Sequence, residues 1–550
     1  MNTPFNLLDE PWIPIRRLSG STDEVSLLTL FREADQIEGV HGEIASQDIA
    51  ILRLLLAICH RTLKGPENFD AWRQYWDKEK DLGTACAEYL EKYRDRFDLR
   101  HPIHPFFQVA GIHSASGKTS SLESIIVDVP NGHPFFTTRL GKGLESISWA
   151  EAARWLVHVH AFDPSGIRSG AVGDPAVKGG KGYPIGPGWT GQIGSVTVLG
   201  DSLEQTLLLN TVVPGTPGLS LDVDIHRDLP PWEEEQRDVG MSVDREPTGP
   251  VSCYTWQTRR ILLHGDNNSV TSLFIGNGDK ATPQNRFHVE PMTAWRYSEP
   301  QTKKLKSVVY MPRKHPTDRA FWRGLSSVIG RMSPTETIKG VGEVTRFKAP
   351  DVVNFYQELI DEEVVPRSGL VPLRATGIEY GSQEAVVVEL IDDHLFLPTQ
   401  LLDRTNKRLL QVTIDAMEES EKVAACVGAL ASNLDRARGG DPDTSKAANT
   451  HAKDSFYTLL DQLFPRWLTS LEQQPEPTTA RNGWRRTLRE EALKQSHALV
   501  DTLPPRAFAG RGDGTNRMDV SRALFFFQRR LKEILPEETH TPHTEDRRSE

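Results

Sequence analysis

The sequence contains few cysteines, and they form no recognisable metal or disulfide framework. The four cysteines are far apart in the chain and include no CxxC pair: Cys59, Cys86, Cys253 and Cys426. This spacing excludes a zinc knuckle built on cysteine pairs and favours a reduced, cytoplasmic protein. Long apolar runs are also lacking, since none approaches the roughly 20 residues of a membrane-spanning helix. The N-terminus has no charged-then-apolar signal pattern, so we expect neither export nor a membrane partner.

Positive charge is not in excess either. The 550 residues include 64 Lys and Arg against 75 Asp and Glu, which gives a net charge of −11. A protein whose whole surface binds nucleic acid is usually basic. The charge therefore disfavours a stand-alone nucleic-acid binder, but it is compatible with one subunit of a larger complex that uses a local basic patch.

Sequence patterns typical of catalysis are absent as well. No Ser/His/Asp or Cys/His set occurs in a recognisable local context. His158 and His160 are two residues apart in a predicted helix, so they point to different faces and cannot share a metal ion. We therefore predict a protein that is not an enzyme, with no catalytic residues, no metal site and no cofactor.

The order of the predicted elements indicates an α+β protein with a mixed α/β part followed by a helical part. Residues 45–63 and 149–162 have helical periodicity, and residues 193–200, 306–311 and 385–391 have the composition of strands. From residue 398 onwards, apolar residues recur with helical spacing in four long runs, which predicts a four-helix bundle. The predicted domains are 1–397 (mixed α/β), 398–535 (bundle) and 536–550 (disordered polar tail).

The stretch KGGKGYPIGPGWTG, residues 178–191, has six glycines in fourteen residues. It lacks the G-x-x-x-x-G-K-[ST] spacing of a phosphate-binding loop, and it lies after a predicted helix and before a strand, the reverse of nucleotide-binding folds. The remaining alternatives are an unordered surface loop and a loop that approaches a nucleic-acid groove. In the second case Lys178 and Lys181 would contact phosphates, and Gly179, Gly180 and Gly182 would let the backbone come close.

A second short motif occurs at 380-YGSQEAVV-387. Gly381 and Ser382 predict a turn between two extended segments, which would place Gln383 at the tip of a hairpin. A glutamine at a tip is usually only solvated, and the alternative is a polar finger inserted between base pairs.

Two arginine- and lysine-rich runs give a weaker nucleic-acid signal. In residues 303–323 the basic side chains alternate with Tyr310, Phe321 and Trp322, a mixture that single-strand binding surfaces use. The second run consists of Arg481, Arg485, Arg486 and Arg489 on the third predicted bundle helix. Such runs are most often solvated helix or loop faces.

The ordered set of motifs resembles the CasA family, the large subunit of the type I-E CRISPR surveillance complex Cascade. The set comprises 5-FNLLDEPWIPIR-16, 104-HPFFQV-109, the Pro-Asn-Gly loop, the glycine stretch, the Gly-Ser-Gln turn and the helical C-terminal part. The resemblance covers almost the whole chain. No single motif is highly specific, but their order along the chain is.

The resemblance implies a non-catalytic subunit for antiviral defence. Such a subunit recognises a protospacer-adjacent motif in double-stranded DNA through the minor groove, and helps open the duplex so that the guide RNA forms an R-loop. It would also recruit a helicase-nuclease. The implied partners are target DNA, the guide CRISPR RNA, the other Cascade proteins and that nuclease.

The resemblance also implies roles for individual residues. The motif-binding set would be Lys178, Gly179, Gly180, Lys181, Gly182 and Lys280, with Arg286 as a rival of Lys280. Gln383 would be the strand-opening wedge, with Gly381 and Ser382 as its turn. Pro130, Asn131 and Gly132 would form the loop that meets the guide RNA.

This sequence departs from the family pattern at Glu384, which places a carboxylate beside the wedge. Two other classes of function stay open at this point. One is a nucleotide-binding enzyme that uses the glycine stretch on phosphates, and the other is a purely structural assembly scaffold.

Overall fold

The computed structural model describes residues 3–127, 144–242, 245–473, 476–512 and 517–536. The chain divides into two compact units. The first contains Met1–Arg367 with Val371–Leu395, and the second contains Ser368–Leu370 with Phe396–Glu550. The predicted α+β class, with a helical C-terminal part, is confirmed. No described helix is long and apolar enough to cross a membrane.

The described helices of the first unit are mostly short. They are α1 (Leu27–Arg32), α2 (Ala45–Thr62), α3 (Phe69–Trp76), α4 (Leu82–Glu91), α5 (Trp149–Phe162), α6 (Leu203–Asn210), α7 (Pro250–Tyr254), α8 (Glu299–Leu305), α9 (Leu325–Val328) and α10 (Asp351–Asp361). The long helix α2 is buried around almost its whole circumference, as expected of a helix at the centre of a large core.

The described strands form several small sheets. They are β1 (Ile13–Arg17), β2 (Thr22–Val25), β3 (Ile37–Val40), β4 (Ile147–Ser148), β5 (Arg168–Ser169), β6 (Lys181–Gly182), β7 (Ser195–Val198), β8 (Arg259–Gly265), β9 (Ser269–Asn277), β10 (Trp295–Tyr297), β11 (Tyr310–Pro312), β12 (Thr335–Ile338), β13 (Gly342–Thr345), β14 (Phe347–Lys348), β15 (Leu370–Tyr380) and β16 (Val387–Pro398). Among the described strands the sheet orders are β2-β1-β3, β11-β10-β14, β12-β13, β16-β15-β7, β4-β9-β8 and β5-β6. Strand β8 pairs with β9 antiparallel along its length.

Helix α5 leads into the glycine stretch. The Ser148 hydroxyl caps its N-terminus by accepting from the Glu151 N–H at 3.0 Å. His158 and His160 are both buried and have separate partners, the Ser46 hydroxyl and the Phe107 carbonyl, each at 2.9 Å. The prediction that the two imidazoles face different surroundings is therefore confirmed.

The second unit is helical, as its periodicity predicts. Its described helices are α11 (Lys407–Arg438), α12 (Pro442–Ser470), α13 (Pro477–Asp501), α14 (Arg506–Ala509) and α15 (Val520–Ile534). Helix α11 packs against α12, α13 and α15, and its apolar residues Val423, Val427 and Leu430 are buried. It ends at Arg438, because Gly439 adopts the left-handed backbone conformation of a helix C-cap.

Candidate nucleic-acid interface

The glycine stretch begins as an ordered β-hairpin. Lys178 and Lys181 exchange backbone hydrogen bonds of 3.0 and 3.1 Å across a two-residue turn. Strand β6, which begins at Lys181, also pairs antiparallel with β5. The two residues between the lysines, Gly179 and Gly180, have φ angles of 59° and 72°. A two-residue turn with positive φ at both positions is the type I′ turn that twists with its strands, and it favours glycine. The alternative of an unordered loop is therefore wrong.

The tip of this hairpin, which we call the glycine tip (residues 178–181), is held by a 3.0 Å bond from the Gly170 N–H to the Gly180 carbonyl, and its outer side is open. All four residues are exposed, and a Cβ added to Gly179 or Gly180 would meet no atom within 4 Å. Bare backbone thus stands between two exposed lysines. No helix N-terminus follows the tip, since the chain continues into β6, so the geometry does not favour a nucleotide phosphate loop.

Three of the four glycines beyond the tip are required by packing, and the fourth, Gly186, has a positive φ of 101°. Gly182 is buried, and its missing Cβ would lie 3.0 Å from Nδ2 of Asn277. A Cβ on Gly188 would collide with the Ala161 carbonyl, and one on Gly191 would collide with the Tyr380 hydroxyl. The six glycines of the stretch therefore serve both turn geometry and close packing.

Buried side chains fix the remainder of the stretch. The Trp189 indole donates to Glu290 at 2.7 Å, and Glu290 also forms a 2.6 Å ion pair with Arg53 of α2. Trp189, Glu290 and Arg53 are each at most 1% exposed. Three residues before Trp189, the Gly186 carbonyl accepts a 3.0 Å hydrogen bond from Arg259 of β8. The hairpin thus stands on a rigid base.

The predicted second hairpin is present and consists of β15 and β16, which are hydrogen-bonded neighbours. Its turn is a single 3₁₀ turn, Ser382–Glu384, closed by a 2.8 Å bond from the Gly381 N–H to the Val386 carbonyl. Ser382 and Gln383 are exposed, and Gln383 has φ 57°. We call Gly381–Glu384 the glutamine tip. A non-glycine residue held in this left-handed region carries strain of about 1–3 kcal/mol, a feature that clusters at functional sites.

Glu384, the departure from the family pattern, is paired within the fold. Its carboxylate forms a 3.1 Å ion pair with Lys314, whose ammonium also lies 5.3 Å from the centre of the Tyr380 ring. The negative charge beside Gln383 is therefore offset by a neighbouring lysine.

Both tips are attached to one segment, residues 162–168, that begins at the last residue of α5. The Tyr380 hydroxyl, at the end of β15, donates to the Phe162 carbonyl at 2.6 Å, while its ring covers Gly191. The Ser165 N–H donates to the Glu384 carbonyl at 2.8 Å. Arg168, the last residue of the segment, begins the strand that pairs with the glycine hairpin. The segment therefore links the two tips through a few short bonds.

The carboxylate of Asp163 is the centre of this segment. It accepts from Arg168 at 2.6 Å and from Arg259, and Arg259 also donates to the Pro164 carbonyl at 3.0 Å. Asp163 and Arg259 are 4% and 1% exposed. Nothing in the sequence indicated this cluster, because its members are isolated residues as much as 96 positions apart.

The other predicted site residues have varied surroundings. Lys280 is exposed and lies three residues after Asn277. The side-chain amide of Asn277 donates to the Tyr183 carbonyl of the glycine stretch at 2.5 Å. Arg286, the rival of Lys280, is held in a 2.7 Å ion pair with Glu246. Pro130, Asn131 and Gly132 lie outside the described residues, so their predicted contact with the guide RNA stays a prediction.

The basic runs differ from the surfaces that their sequences suggested. Tyr310, Phe321 and Trp322 are buried at 7%, 6% and 2% exposure, so these rings belong to the core and cannot stack with bases. In the bundle, Arg481 and Arg485 both pair with Glu419, at 2.6 and 2.5 Å. Within the described ranges, no group of three or more His, Cys, Asp or Glu residues could hold a metal ion.

We expect Gly188→Ala to destabilise the first unit by about 1–3 kcal/mol or more, because a methyl group would overlap the Ala161 carbonyl. Gly483→Ala is the matched control, since a methyl group added to this helical glycine would meet no atom within 4 Å, and the variant should gain roughly 0.5–1 kcal/mol. Urea unfolding monitored by tryptophan fluorescence would measure both. Equal stability of Gly188→Ala and the parent chain would contradict the packing role.

Comparisons with known proteins agree over nearly the whole chain. The family model described as CRISPR-associated protein Cse1 matches residues 6–495. A curated CasA/Cse1 protein of Thermus thermophilus is 27% identical over 529 residues, which cover 92% of this chain and 93% of that protein.

Solved structures give the same result. The crystal structure of Thermobifida fusca Cse1 has a TM-score of 0.88 at 39% identity, covering 98% of this chain and 99% of that one. A chain from a structure described as a CRISPR RNA-guided surveillance complex has a TM-score of 0.66, covering 96% of this chain and 99% of that one. At 17% identity, the second likeness shows the shared fold alone.

Proposed function

We propose that this chain, which belongs to the Cse1 family of CRISPR-associated proteins, is the large, non-catalytic subunit of a type I-E RNA-guided surveillance complex. In this proposal the chain recognises a short motif in double-stranded DNA and helps to open the adjacent duplex. Its partners are the target DNA, the guide CRISPR RNA, the other Cascade proteins and a helicase-nuclease, and it works in the cytoplasm without a cofactor.

The observation that carries the proposal is the pair of exposed tips on one rigid segment. The glycine tip presents bare backbone between Lys178 and Lys181, and the glutamine tip presents Gln383. Both are joined to residues 162–168 by backbone hydrogen bonds or strand pairing. An element that recognises the motif and a wedge that opens the adjacent duplex must keep a fixed distance from each other. The shared segment, residues 162–168, would provide this.

The glycine tip has the shape and charge for a minor groove. This groove is only about 6 Å wide, so a backbone without Cβ atoms can approach base edges that bulkier residues could not reach. The two lysines would contact the flanking phosphates, which supply affinity but little sequence information. Because the minor groove carries a degenerate donor and acceptor pattern, we expect several related motifs to be accepted.

The glutamine tip has the properties of a wedge. Unstacking a base step costs a few kcal/mol, so the inserted element must not yield. Gln383 is held in a left-handed conformation by the closed 3₁₀ turn, and the hairpin behind it is attached to Phe162 and Ser165. The side chain can accept and donate hydrogen bonds, so it can replace some of those that the opened base pair loses.

The overall charge indicates why such a subunit works in a complex. A chain with net charge −11 gains little from the phosphate attraction that dominates the affinity of isolated DNA-binding proteins. In the proposal, the neighbouring subunits and the guide RNA supply most of the affinity, and this chain supplies the choice of motif.

We expect Gly180→Asp to remove both affinity and motif discrimination, because it places a carboxylate and a side chain at the glycine tip. The measurement is binding of the reconstituted complex to target duplexes that carry every three-letter motif. Gly20→Asp is the matched control, since Gly20 also has positive φ and no atom within 4 Å of an added Cβ. Normal discrimination by Gly180→Asp would show that the glycine tip does not read the motif.

We expect Gln383→Ala to leave complex assembly intact and to slow strand opening on linear DNA. Negative supercoiling assists R-loop formation, so the defect should be smaller on supercoiled DNA. Gln36→Ala serves as the control, because Gln36 is also an exposed glutamine. Rates of R-loop formation can be followed by the reactivity of unpaired bases. A wild-type rate for Gln383→Ala on linear DNA would contradict the role of the wedge.

A further inference from the structure

A cavity of about 220 Å³ lies directly beside the glutamine tip. Its walls come from three segments, residues 123–127, 158–168 and 385–387, all within the first unit. The third segment begins immediately after Glu384, and the second includes residues 163–168 of the segment that holds both tips. The cavity is thus built from the elements that position Gln383.

The cavity has two chemically different sides. Ile125, Ile126 and Val387 are buried apolar residues of its lining. The polar side includes His158, whose Nδ1 is buried without a hydrogen-bond partner, and Arg168, whose Nε is likewise unpartnered. A buried polar group without a hydrogen-bond partner is destabilising, so a ligand that pairs with these atoms would offset part of that loss.

Burial determines the protonation state of His158 on the polar side of the cavity. Burial lowers the pKa of His158 to about 3, so the ring is neutral near pH 7. Its Nε2 contacts the Ser46 hydroxyl, which leaves Nδ1 to serve a ligand. Arg168 forms a 2.6 Å ion pair with Asp163, which also lines the cavity. The lining therefore suits a neutral, planar group with hydrogen-bonding atoms along one edge.

The size of the cavity limits the choice further. Sites for drug-sized ligands typically measure about 300–1,000 Å³. The volume of 220 Å³ is smaller and suits a single ring system. A nucleobase has apolar faces and a polar edge of this kind, and base-flipping proteins hold extruded bases in pockets of apolar side chains and edge-directed hydrogen bonds.

We propose that this cavity receives the first nucleobase that the wedge unpairs next to the motif. The proposal rests on the proposed function and deepens it by giving the displaced base a binding site. Extrusion of a base from the stack is unfavourable, and contacts inside the cavity would offset part of that cost. A captured base cannot pair again, so the duplex would be held open while the guide RNA begins to pair.

The test uses permanganate, which oxidises thymines that are unpaired and accessible. The reconstituted complex is bound to duplexes with thymine at the first position after the motif, in one strand or in the other, and with further thymines beyond it. We expect the first thymine of one strand to be protected at least fivefold relative to the next unpaired thymines. The two duplexes identify which strand supplies the base.

Ile167→Trp tests whether this protection comes from the cavity. Ile167 lines the cavity and is 57% exposed, which places it at the rim where a larger side chain obstructs entry without altering the core. We expect the first thymine to become as reactive as its unpaired neighbours in this variant. Ile103→Trp is the matched control, at 60% exposure and outside the lining, and should keep the protection.

Two results would contradict the proposed role of the cavity while leaving the proposed function intact. One is a first thymine that reacts as strongly as its unpaired neighbours in both strands of the wild-type complex. The other is protection that persists unchanged in Ile167→Trp. If no thymine beyond the motif became reactive although the complex bound, duplex opening itself would fail, and the proposed function would fail with it.

Discussion

The geometry of the candidate interface depends on the ion pairs that the buried carboxylate of Asp163 forms. This carboxylate neutralises Arg168 and Arg259, and through Arg259 it fixes the carbonyls of Pro164 and Gly186. Removing one partner from such a buried pair leaves an uncompensated charge and typically costs about 3–5 kcal/mol. Because this cluster lies where α5 ends and both tips are attached, it holds the glycine tip and the glutamine tip on one base.

The glycine stretch combines two requirements that a sequence cannot separate. At the tip, Gly179 and Gly180 provide the positive φ angles of a tight turn and leave bare backbone exposed. Farther along, Gly188 and Gly191 let α5 and Tyr380 pack against the stretch. The second pair makes the base rigid, and a rigid base gives the first pair a defined position. The recognition that we propose, by backbone in a narrow groove, needs both, since ordering a flexible loop on binding would cost conformational entropy.

Local patterns predicted much of this structure from the sequence. Periodicity gave α2, α5 and the long helices of the second unit, and turn residues gave the hairpin that presents Gln383, because both signals depend on neighbouring residues. The Asp163–Arg259 and Arg53–Glu290 pairs were not predictable, since their partners are 96 and 237 positions apart and only the tertiary fold joins them. The same limit explains the error at Phe321 and Trp322, whose basic neighbours suggested a surface although both rings are buried. The roles of the two tips came from family resemblance and stay proposals.

Site-specific photocrosslinking would test most directly whether the two tips meet the DNA as one surface. The four cysteines of the chain are buried, so a thiol-linked crosslinker on Lys181→Cys or Gln383→Cys would report mainly from the introduced position. In the reconstituted complex, the probe at 181 should label nucleotides of the double-stranded motif, and the probe at 383 should label the first base pair beyond it. Labelling by both probes no stronger than from Gln36→Cys would contradict the account.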